Sequence, residues 1–220
     1  MKKLLSTLAG AAIAMTGFAS AATIDFAGYA AANGEQGLDE FEVLNIDGFN
    51  LVFGAVDGLP LFPHAANPYL NGEVFGKPTG LGVCSTGLTV GDQCKHASDS
   101  PIDLGEGVGF GFLEGPFDVT SFEFRDTHGN LLSSAATIAI ATLSEAGVDL
   151  RIDCVGAFMA MAAMGDAFFL DIDAIGFAKI NKPFYISSID VNAVPVPAAG
   201  LLFASGIAGL GYARRKKAAA

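Results

Sequence analysis

The stretch FEVLNIDGFNLVF, residues 41–53, contains two short runs rich in apolar residues on either side of Asp47-Gly48. An Asp-Gly pair between two such runs is a strong signal for a β-hairpin, because both central residues of the tight turn adopt positive φ. The sequence therefore predicts two antiparallel strands that turn at Asp47-Gly48.

Alternation of apolar and polar residues recurs along the chain away from this hairpin. In VDLRID, residues 148–153, three aliphatic residues alternate with charged ones, which is typical of a half-buried strand. Similar runs are FEFRD (122–126), FLDIDAIGF (169–177), FYISSIDV (184–191) and GVGFGF (107–112), and 28 glycines supply turns between them. This pattern predicts an all-β, antiparallel β-sandwich that resembles a jelly roll.

Two stretches carry further local predictions. The alternating glycines of GVGFGF predict a strand face that another layer approaches closely. The segment CVGAFMAMAAMGDAFF, residues 154–169, is rich in Ala and Met, and two interpretations stay open for it: a short helix across one end of the sandwich, or a buried strand.

Residues 1–22 predict a secretory signal peptide. Two lysines precede an uncharged run over residues 4–18, and small residues follow, which is the order of regions in such signals. The apolar run is shorter than the roughly 20 residues that span a bilayer. We expect signal peptidase to cleave after Ala21 or Ala22, so that the exported chain begins near Thr23; a first core helix is the alternative.

The chain between its terminal segments is strongly acidic. Of the 12 basic residues, six lie before residue 23 or after residue 193, whereas all 23 acidic residues lie between, so this body has a net charge near −17. Such a surface repels phosphate backbones, which argues against nucleic-acid binding. Solubility outside the cell is the simpler interpretation of this charge, and divalent-cation binding is the alternative.

Three cysteines predict one disulfide. Cys84 and Cys94 are the only two that are close in sequence, and thiols of exported proteins tend to be oxidised. A disulfide between them would stabilise the fold by about 2 to 3 kcal/mol on the loop-entropy estimate. Cys154 is left over; we expect an inert buried thiol, with an intermolecular bridge as the alternative.

Acidic residues in two turns form a candidate calcium site. Asp99, Asp103 and Glu106 follow the cysteine loop, and Asp126 lies in the turn RDTHGN after a predicted strand. If the two turns meet at one rim, their carboxylate oxygens could bind Ca²⁺. The alternative is that they are solvated residues that cap their own turns, since Asp is common in turns. We expect no other cofactor.

Residues 194–217 combine three features in an order that is unusual for a globular protein. Val194-Pro195-Val196-Pro197 comes first, an uncharged segment follows over residues 198–213, and Arg214-Arg215-Lys216-Lys217 comes last. Prolines hold their neighbours extended, the uncharged run is a marginal bilayer span, and a basic cluster stays on the cytoplasmic side. The sequence predicts an accessible cleavage site before a transmembrane helix; an uncut anchor is the alternative.

This order closely resembles the PEP-CTERM sorting signal, in its VPLPA-type variant, over all of VPVPAAGLLFASGIAGLGYARRKK. Val196 stands where that variant usually has Leu, and three alanines follow the basic cluster. The resemblance implies an exported protein of a Gram-negative, biofilm-forming bacterium. It would be held transiently in the membrane by its C-terminal helix, then processed near the Pro-x-Pro motif by an exosortase, a membrane cysteine transpeptidase.

Over roughly residues 25–190, the chain is similar to the β-sandwich ectodomains that such exosortase substrates carry. The similarity lies in NPYLNGEVFGKPTGLGVCS (67–85), in the acidic loop SDSPIDLGEG (98–107) and in VTSFEFRDTHG (119–129). It implies the family and a sandwich fold, and it implies no ligand.

Two classes of function remain. The first is a non-enzymatic protein of the cell surface or extracellular matrix, associated with exopolysaccharide or biofilm. The second is a secreted lectin or carbohydrate-active enzyme on the same scaffold, which needs paired carboxylates or a platform of exposed aromatic residues. The chain has no Trp and four Tyr, and it contains no His-x-x-x-His, G-x-S-x-G or Cys-x-x-Cys motif. The sequence favours the first class.

Overall fold

The computed structural model of the chain describes residues 21–39, 41–57, 64–89, 92–95, 100–163 and 169–193. These residues form thirteen strands and two helices. The strands are β1 (Ala21–Asp25), β2 (Gln36–Gly37), β3 (Val43–Ile46), β4 (Phe49–Asp57), β5 (His64–Ala65), β6 (Asn67–Val74), β7 (Lys77–Cys84), β8 (Gly107–Phe112), β9 (Phe117–Arg125), β10 (Thr137–Ser144), β11 (Gly147–Cys154), β12 (Phe169–Lys179) and β13 (Tyr185–Ala193). The helices are α1 (Phe26–Asn33) and α2 (Val155–Ala163).

Every pair of neighbouring strands in the described residues runs antiparallel, which confirms the all-β prediction. The strands form one hydrogen-bonded sheet with a sandwich-like arrangement. We call β2, β6, β7, β13 and β9, with β1 beside β13, the first layer. The second layer contains β3, β4, β8, β12, β10 and β11.

Strand β12 joins the two layers. Its residues Phe169 and Ile172 pair with β9 of the first layer, whereas residues 174–178 pair with β8 of the second. The register of its pairing with β9 shifts between Phe169 and Ile172, and Asp171 in that shift adopts a φ of 58°. A bulge of this kind bends a strand and increases its twist, so one long strand serves both layers.

The predicted hairpin is confirmed. Strands β3 and β4 pair with Ile46 opposite Phe49, and the two residues between them, Asp47 and Gly48, have φ of 53° and 92°. Both φ values are positive, as a type I′ turn requires.

Aromatic side chains fill the space between the layers. The Phe26 ring of α1 lies 5.2 Å from that of Phe110 and 6.3 Å from that of Phe53, between ring centroids. Helix α1 begins where the Asp25 side chain accepts a hydrogen bond from the Gly28 backbone N–H at 2.8 Å, which caps its first turn. The helix then packs on β6, β7 and β13 and covers one end of the core.

The segment that could be helix or strand is helical over residues 155–163, and residues 164–168 lie outside the described residues. Helix α2 occupies Val155–Ala163 and packs on β9, with Val155 and Phe158 buried. The helical interpretation of this Ala- and Met-rich stretch is therefore confirmed.

The described chain begins and ends on neighbouring strands. Ala21 of β1 lies opposite Asn192 of β13, and the compact unit to which they belong ends at Ala193. Within the described ranges no helix is long and apolar enough to cross a membrane. Of the predicted signal peptide, residues 1–22, Ala21 and Ala22 belong to β1, and residues 1–20 lie outside the described residues, as does the predicted transmembrane helix after Ala193.

Candidate functional site

The predicted disulfide is present. Cys84, at the end of β7, is joined to Cys94 with an S–S distance of 2.10 Å and a Cα–Cα distance of 5.7 Å. Next to Cys94, the Gln93 side chain accepts a hydrogen bond from the Tyr69 hydroxyl at 3.1 Å and donates one to the Glu35 carbonyl at 2.5 Å. The crosslink and these bonds hold the loop against β6. Cys154 is a free, half-buried thiol.

Asp103 and Glu106 lie in one turn before β8, and both carboxylates have partners in the protein. The Asp103 carboxylate forms an ion pair with Lys179 of β12, and Glu106 Oε2 accepts a hydrogen bond from the Asp103 backbone N–H at 2.6 Å. The Lys179 hydrogen bond lowers the pKa of Asp103 below its ordinary value of 3.8 and outweighs the effect of burial.

Asp126 caps its own turn. Its Oδ1 accepts hydrogen bonds from the backbone N–H groups of His128 at 2.8 Å and Asn130 at 2.9 Å. Burial alone would raise the pKa of Asp126, but the hydrogen bonds together lower this pKa by more than burial raises it. The pKa of Asp126 is therefore below its ordinary value of 3.8. This is the local bonding that makes Asp common in turns.

Among the described residues, Asp103, Glu106 and Asp126 are not gathered into a cation site. Within the described residues, no three side chains of His, Cys, Asp or Glu are grouped so that they could hold a metal ion. Asp99 lies outside the described residues. Because Asp103, Glu106 and Asp126 each have protein partners in their own turns, the capping interpretation is favoured over calcium binding.

The lowered pKa values of Asp103 and Asp126 predict that the fold loses stability in acid. Both carboxyls are more acidic in the folded chain, so the unfolded chain binds protons first as the pH falls. The loss begins near the ordinary pKa of 3.8 and is complete only below the lowered folded-state values. Denaturant unfolding between about pH 7 and pH 3 should show a shallower pH dependence for Asp103→Asn than for the wild type. An unchanged profile for Asp103→Asn, or the same flattening for the exposed Glu145→Gln, would contradict this.

Of the predicted processing residues, one lies in the described part of the chain. Ala21 is the first residue of β1. The others lie outside the described residues: Val194, Pro195, Val196, Pro197, Arg214, Arg215, Lys216 and Lys217.

A shallow apolar groove crosses the outer face of the second layer. Its floor contains one row of directly opposed residues on five neighbouring strands: Gly54, Gly109, Gly176, Ala141 and Leu150. Four of these have no side-chain atom beyond Cβ, so the floor lies close to the backbone. The two adjoining parts of the groove have volumes of about 450 and 360 Å³.

Aliphatic and aromatic side chains form the sides of the groove. Leu143 and Val148 line it at the β10–β11 side, and Phe41 and Val52 line it at the β3–β4 side. Apart from Thr142, every lining residue of the larger part is apolar or glycine. Such a surface can bind an apolar partner, and it carries no carboxylate or imidazole for acid–base chemistry.

Sequence reasoning missed this groove, although the signal was present. Small residues occupy alternate positions in GVGFGF (107–112), AIGFA (174–178) and TIAIAT (137–142). The sequence predicted that another layer approaches the glycines of GVGFGF closely. At Gly109 the close neighbour is instead the adjacent strand β12, because a Cβ on Gly109 would lie 2.8 Å from the Ile175 carbonyl oxygen. Gly54 faces open space, with nothing within 4 Å of an added Cβ.

A second, more polar pocket of about 430 Å³ lies between α2 and the β9–β13 strands. Two carboxylates line it, from Glu123 and Asp190. Asp190 accepts hydrogen bonds from Thr23, at 2.5 Å, and from Ser121. Glu123 forms an ion pair of 2.6 Å with Arg125. In this pocket two acids share a concave surface.

A buried polar network joins β6, β7 and β13. The Tyr185 hydroxyl lies 2.7 Å from Ser100 Oγ, Asn71 donates to Ser100 Oγ at 2.9 Å, and Thr79 donates to Asn71 Oδ1 at 3.1 Å. Burial raises the pKa of Tyr185 to about 12, so its hydroxyl stays protonated. No buried side-chain N or O atom among the described residues lacks a partner, which marks the network as structural.

The Tyr185 hydroxyl also accepts a hydrogen bond from Asn71 Nδ2 at 3.4 Å. Replacing Tyr185 with Phe should therefore destabilise the fold by about 2 kcal/mol, because buried Ser100 and Asn71 each lose one partner. Tyr69→Phe is the comparison, because its hydroxyl makes a hydrogen bond that is only partly buried, and it should cost about 1 kcal/mol. Denaturant unfolding of both variants measures the difference. Equal losses would show that the buried network contributes no more than an ordinary surface hydrogen bond.

No family model, no curated protein and no solved structure matches the chain.

Proposed function

We propose that the chain is an exported, non-enzymatic protein of the cell surface or extracellular matrix, processed at its two ends by signal peptidase and an exosortase. The observation that carries the proposal is the order of features in residues 194–217: a Pro-x-Pro motif, an uncharged segment and a basic cluster. That order resembles the VPLPA-type PEP-CTERM signal. In this proposal a signal helix precedes a jelly-roll-like ectodomain, residues 23–193, and a transmembrane helix follows it.

The arrangement of the terminal strands supports this proposal. Strand β13 ends at Ala193, directly before the Pro-x-Pro motif, and β1 begins at Ala21. Removal of residues 1–21 and of the tail would leave Thr23, Ile24 and Asp25 paired with β13. Ile24 is fully buried, so the strand that remains keeps its place in the core. In this proposal both ends are removed while the pairing of Thr23, Ile24 and Asp25 with β13 is kept.

The disulfide and the charge also support export. A Cys84–Cys94 bond is expected to persist in an oxidising compartment and not in a reducing one. The net charge near −17 of the body suits a soluble protein and disfavours nucleic acid as a partner. Exopolysaccharide is the partner class that we propose for such a matrix protein, and the apolar groove carries no carboxylate or imidazole for acid–base chemistry on it.

A pair of tail variants tests the proposal. In the bacterium that makes the protein, the double variant Pro195→Ala/Pro197→Ala should remain in the membrane fraction, because the cleavage site is lost. Val196→Leu, which introduces the residue usual in the VPLPA-type motif, should be processed like the wild type. If the double variant reaches the surface or medium normally, the exosortase proposal fails.

The lectin or carbohydrate-active enzyme remains the second candidate, and the polar pocket with Glu123 and Asp190 favours it. This candidate requires saturable binding of a glycan that depends on these carboxylates. A glycan array should then show binding that Asp190→Asn abolishes and the exposed Glu145→Gln retains. The matrix-protein proposal predicts no such carboxylate-dependent binding.

A further inference from the structure

Strand β11 presents a long, open edge. Within the described residues it pairs only with β10, through eight consecutive opposed pairs without a bulge. The strands at the ends of the main sheet path, β2 and β3, contain only two and four residues. Short strands, bulges, Lys, Pro and charged side chains normally protect an edge from pairing with another chain. Strand β11, with the sequence GVDLRIDC, has none of the first four, and its three charged residues are of alternating sign, so they can pair with a second copy of the same strand.

The apolar residues of β11 are exposed, although their alternation predicts a half-buried strand. Val148, Leu150 and Ile152 are 75%, 60% and 57% exposed. They lie on the face of the sheet that carries the apolar groove, where Leu150 continues the row of small residues. As far as the described residues go, the strand therefore has both unpaired backbone groups and an uncovered apolar face.

The opposite face of β11 carries charges of alternating sign. Asp149, Arg151 and Asp153 follow one another at every second position. Within one chain, Arg151 Nε lies 3.0 Å from Asp149 Oδ2, and the Arg151 guanidinium carbon lies 4.7 Å from the centre of the Phe169 ring. Within one chain the arginine is thus held close to the strand by Asp149 and by Phe169 of β12.

We propose that two copies of this chain associate by antiparallel pairing of their β11 edges, with Leu150 of one copy opposite Leu150 of the other. This register places Asp149 of each copy opposite Arg151 of the other, so two pairs of opposite charge form across the junction. On the apolar face, Val148 lies opposite the second copy's Ile152. The proposal is independent of the proposed sorting of the chain.

The charges select this register over its neighbours. Like charges that lie directly opposite each other destabilise a strand pair. Sliding one copy by two residues in one direction places Arg151 opposite Arg151 and Asp149 opposite Asp153. Sliding it by two residues in the other direction places Asp149 opposite Asp149. A shift by one residue sets the charged face of one copy beside the apolar face of the other. Pairing Arg151 with Asp153 preserves complementarity but aligns only residues 150–154, whereas the Leu150 register aligns residues 147–153.

Cysteine crosslinking of the full chain tests the register. In a Cys154→Ser background, Leu150→Cys should form a disulfide-linked dimer on mild oxidation, because opposed residues of antiparallel strands have Cα atoms about 4.5 to 5.5 Å apart. Val148→Cys is the matched control, because Val148 is at least as exposed as Leu150. In this register residue 148 of one copy lies opposite residue 152 of the other, so the two copies of residue 148 are four positions apart along the strands and should not form a disulfide. Absence of a Leu150→Cys dimer, or equal linking of both variants, overturns the proposal.

Charge exchange tests the contact energetically. Arg151→Asp places acids opposite acids and should raise the dimer dissociation constant about tenfold or more in sedimentation experiments on the full chain. The double variant Asp149→Arg/Arg151→Asp restores opposite charges in the same register and should recover most of the affinity. A monomeric wild type contradicts the proposal. Association that neither variant changes also contradicts it and assigns the contact to another surface, such as residues 194–220.

Discussion

Gly82→Ala should destabilise the fold by about 3 kcal/mol, because the added methyl group has no space. A Cβ on Gly82 would overlap the carbonyl oxygen of Ser100 and would lie 3.0 Å from its carbonyl carbon and 3.1 Å from Tyr185 Cδ1. The obstacle is backbone, and the Ser100 carbonyl is fixed by a 3.0 Å hydrogen bond from the Val83 N–H. The strand or the Ser100 segment would have to move. For a domain of this size the melting temperature should fall by about 10 °C.

Gly54→Ala is the matched control for this prediction. Gly54 also lies inside a strand, but nothing is within 4 Å of an added Cβ, so the unfolding free energy should change by less than about 0.5 kcal/mol. Thermal and denaturant unfolding of the two variants under the same conditions gives the comparison. Similar stabilities for both would mean that Gly82 does not approach Ser100 as closely as described.

Loss of the Cys84–Cys94 disulfide should destabilise the fold by about 2 to 3 kcal/mol. The bond closes a loop with a sequence separation of 10. The crosslink lowers the conformational entropy of the unfolded chain, and the loop-entropy estimate for a loop of this length is about 2 to 3 kcal/mol. The native loop also fixes Gln93 against Tyr69, so the Tyr69 contact should loosen at the same time. The double variant Cys84→Ser/Cys94→Ser, unfolded in denaturant, measures the loss.

Cys154→Ser provides the control for the disulfide. Cys154 is a free thiol at the end of β11, so its replacement should change the unfolding free energy by less than about 1 kcal/mol. Reductant should lower the stability of the wild type and of Cys154→Ser equally, and should leave the double variant unchanged. A reductant effect that disappears in Cys154→Ser would assign the stabilising bond to Cys154 and contradict the structure.

Local sequence signals predicted the elements whose conformation local chemistry determines. Asp47-Gly48 supplied the two positive φ values of its turn, and alternation in GVGFGF matched the buried Val108, Phe110 and Phe112 of β8. The cysteine spacing identified the disulfide. In each case the signal lies within about ten residues, so no knowledge of the tertiary arrangement was needed.

Features that depend on distant neighbours were not predictable in this way. The alternation of VDLRID correctly predicted a strand but not its exposure, because burial depends on the partners of β11 and not on its own pattern. Helix α1 was missed because the eight residues FAGYAAAN are short and lack helical periodicity. The apolar groove requires the register of five strands, which brings together small residues that are far apart in sequence.

Processing at both ends is the central claim about function, and intact-mass analysis of the protein recovered from the bacterium that makes it tests that claim most directly. The proposal predicts a mature chain that begins at Ala22 or Thr23 and has lost Arg214, Arg215, Lys216 and Lys217, because each end matches a removable signal. A mature protein whose C-terminus still contains Arg214–Lys217 would contradict exosortase processing and would leave residues 194–217 as an uncut membrane anchor.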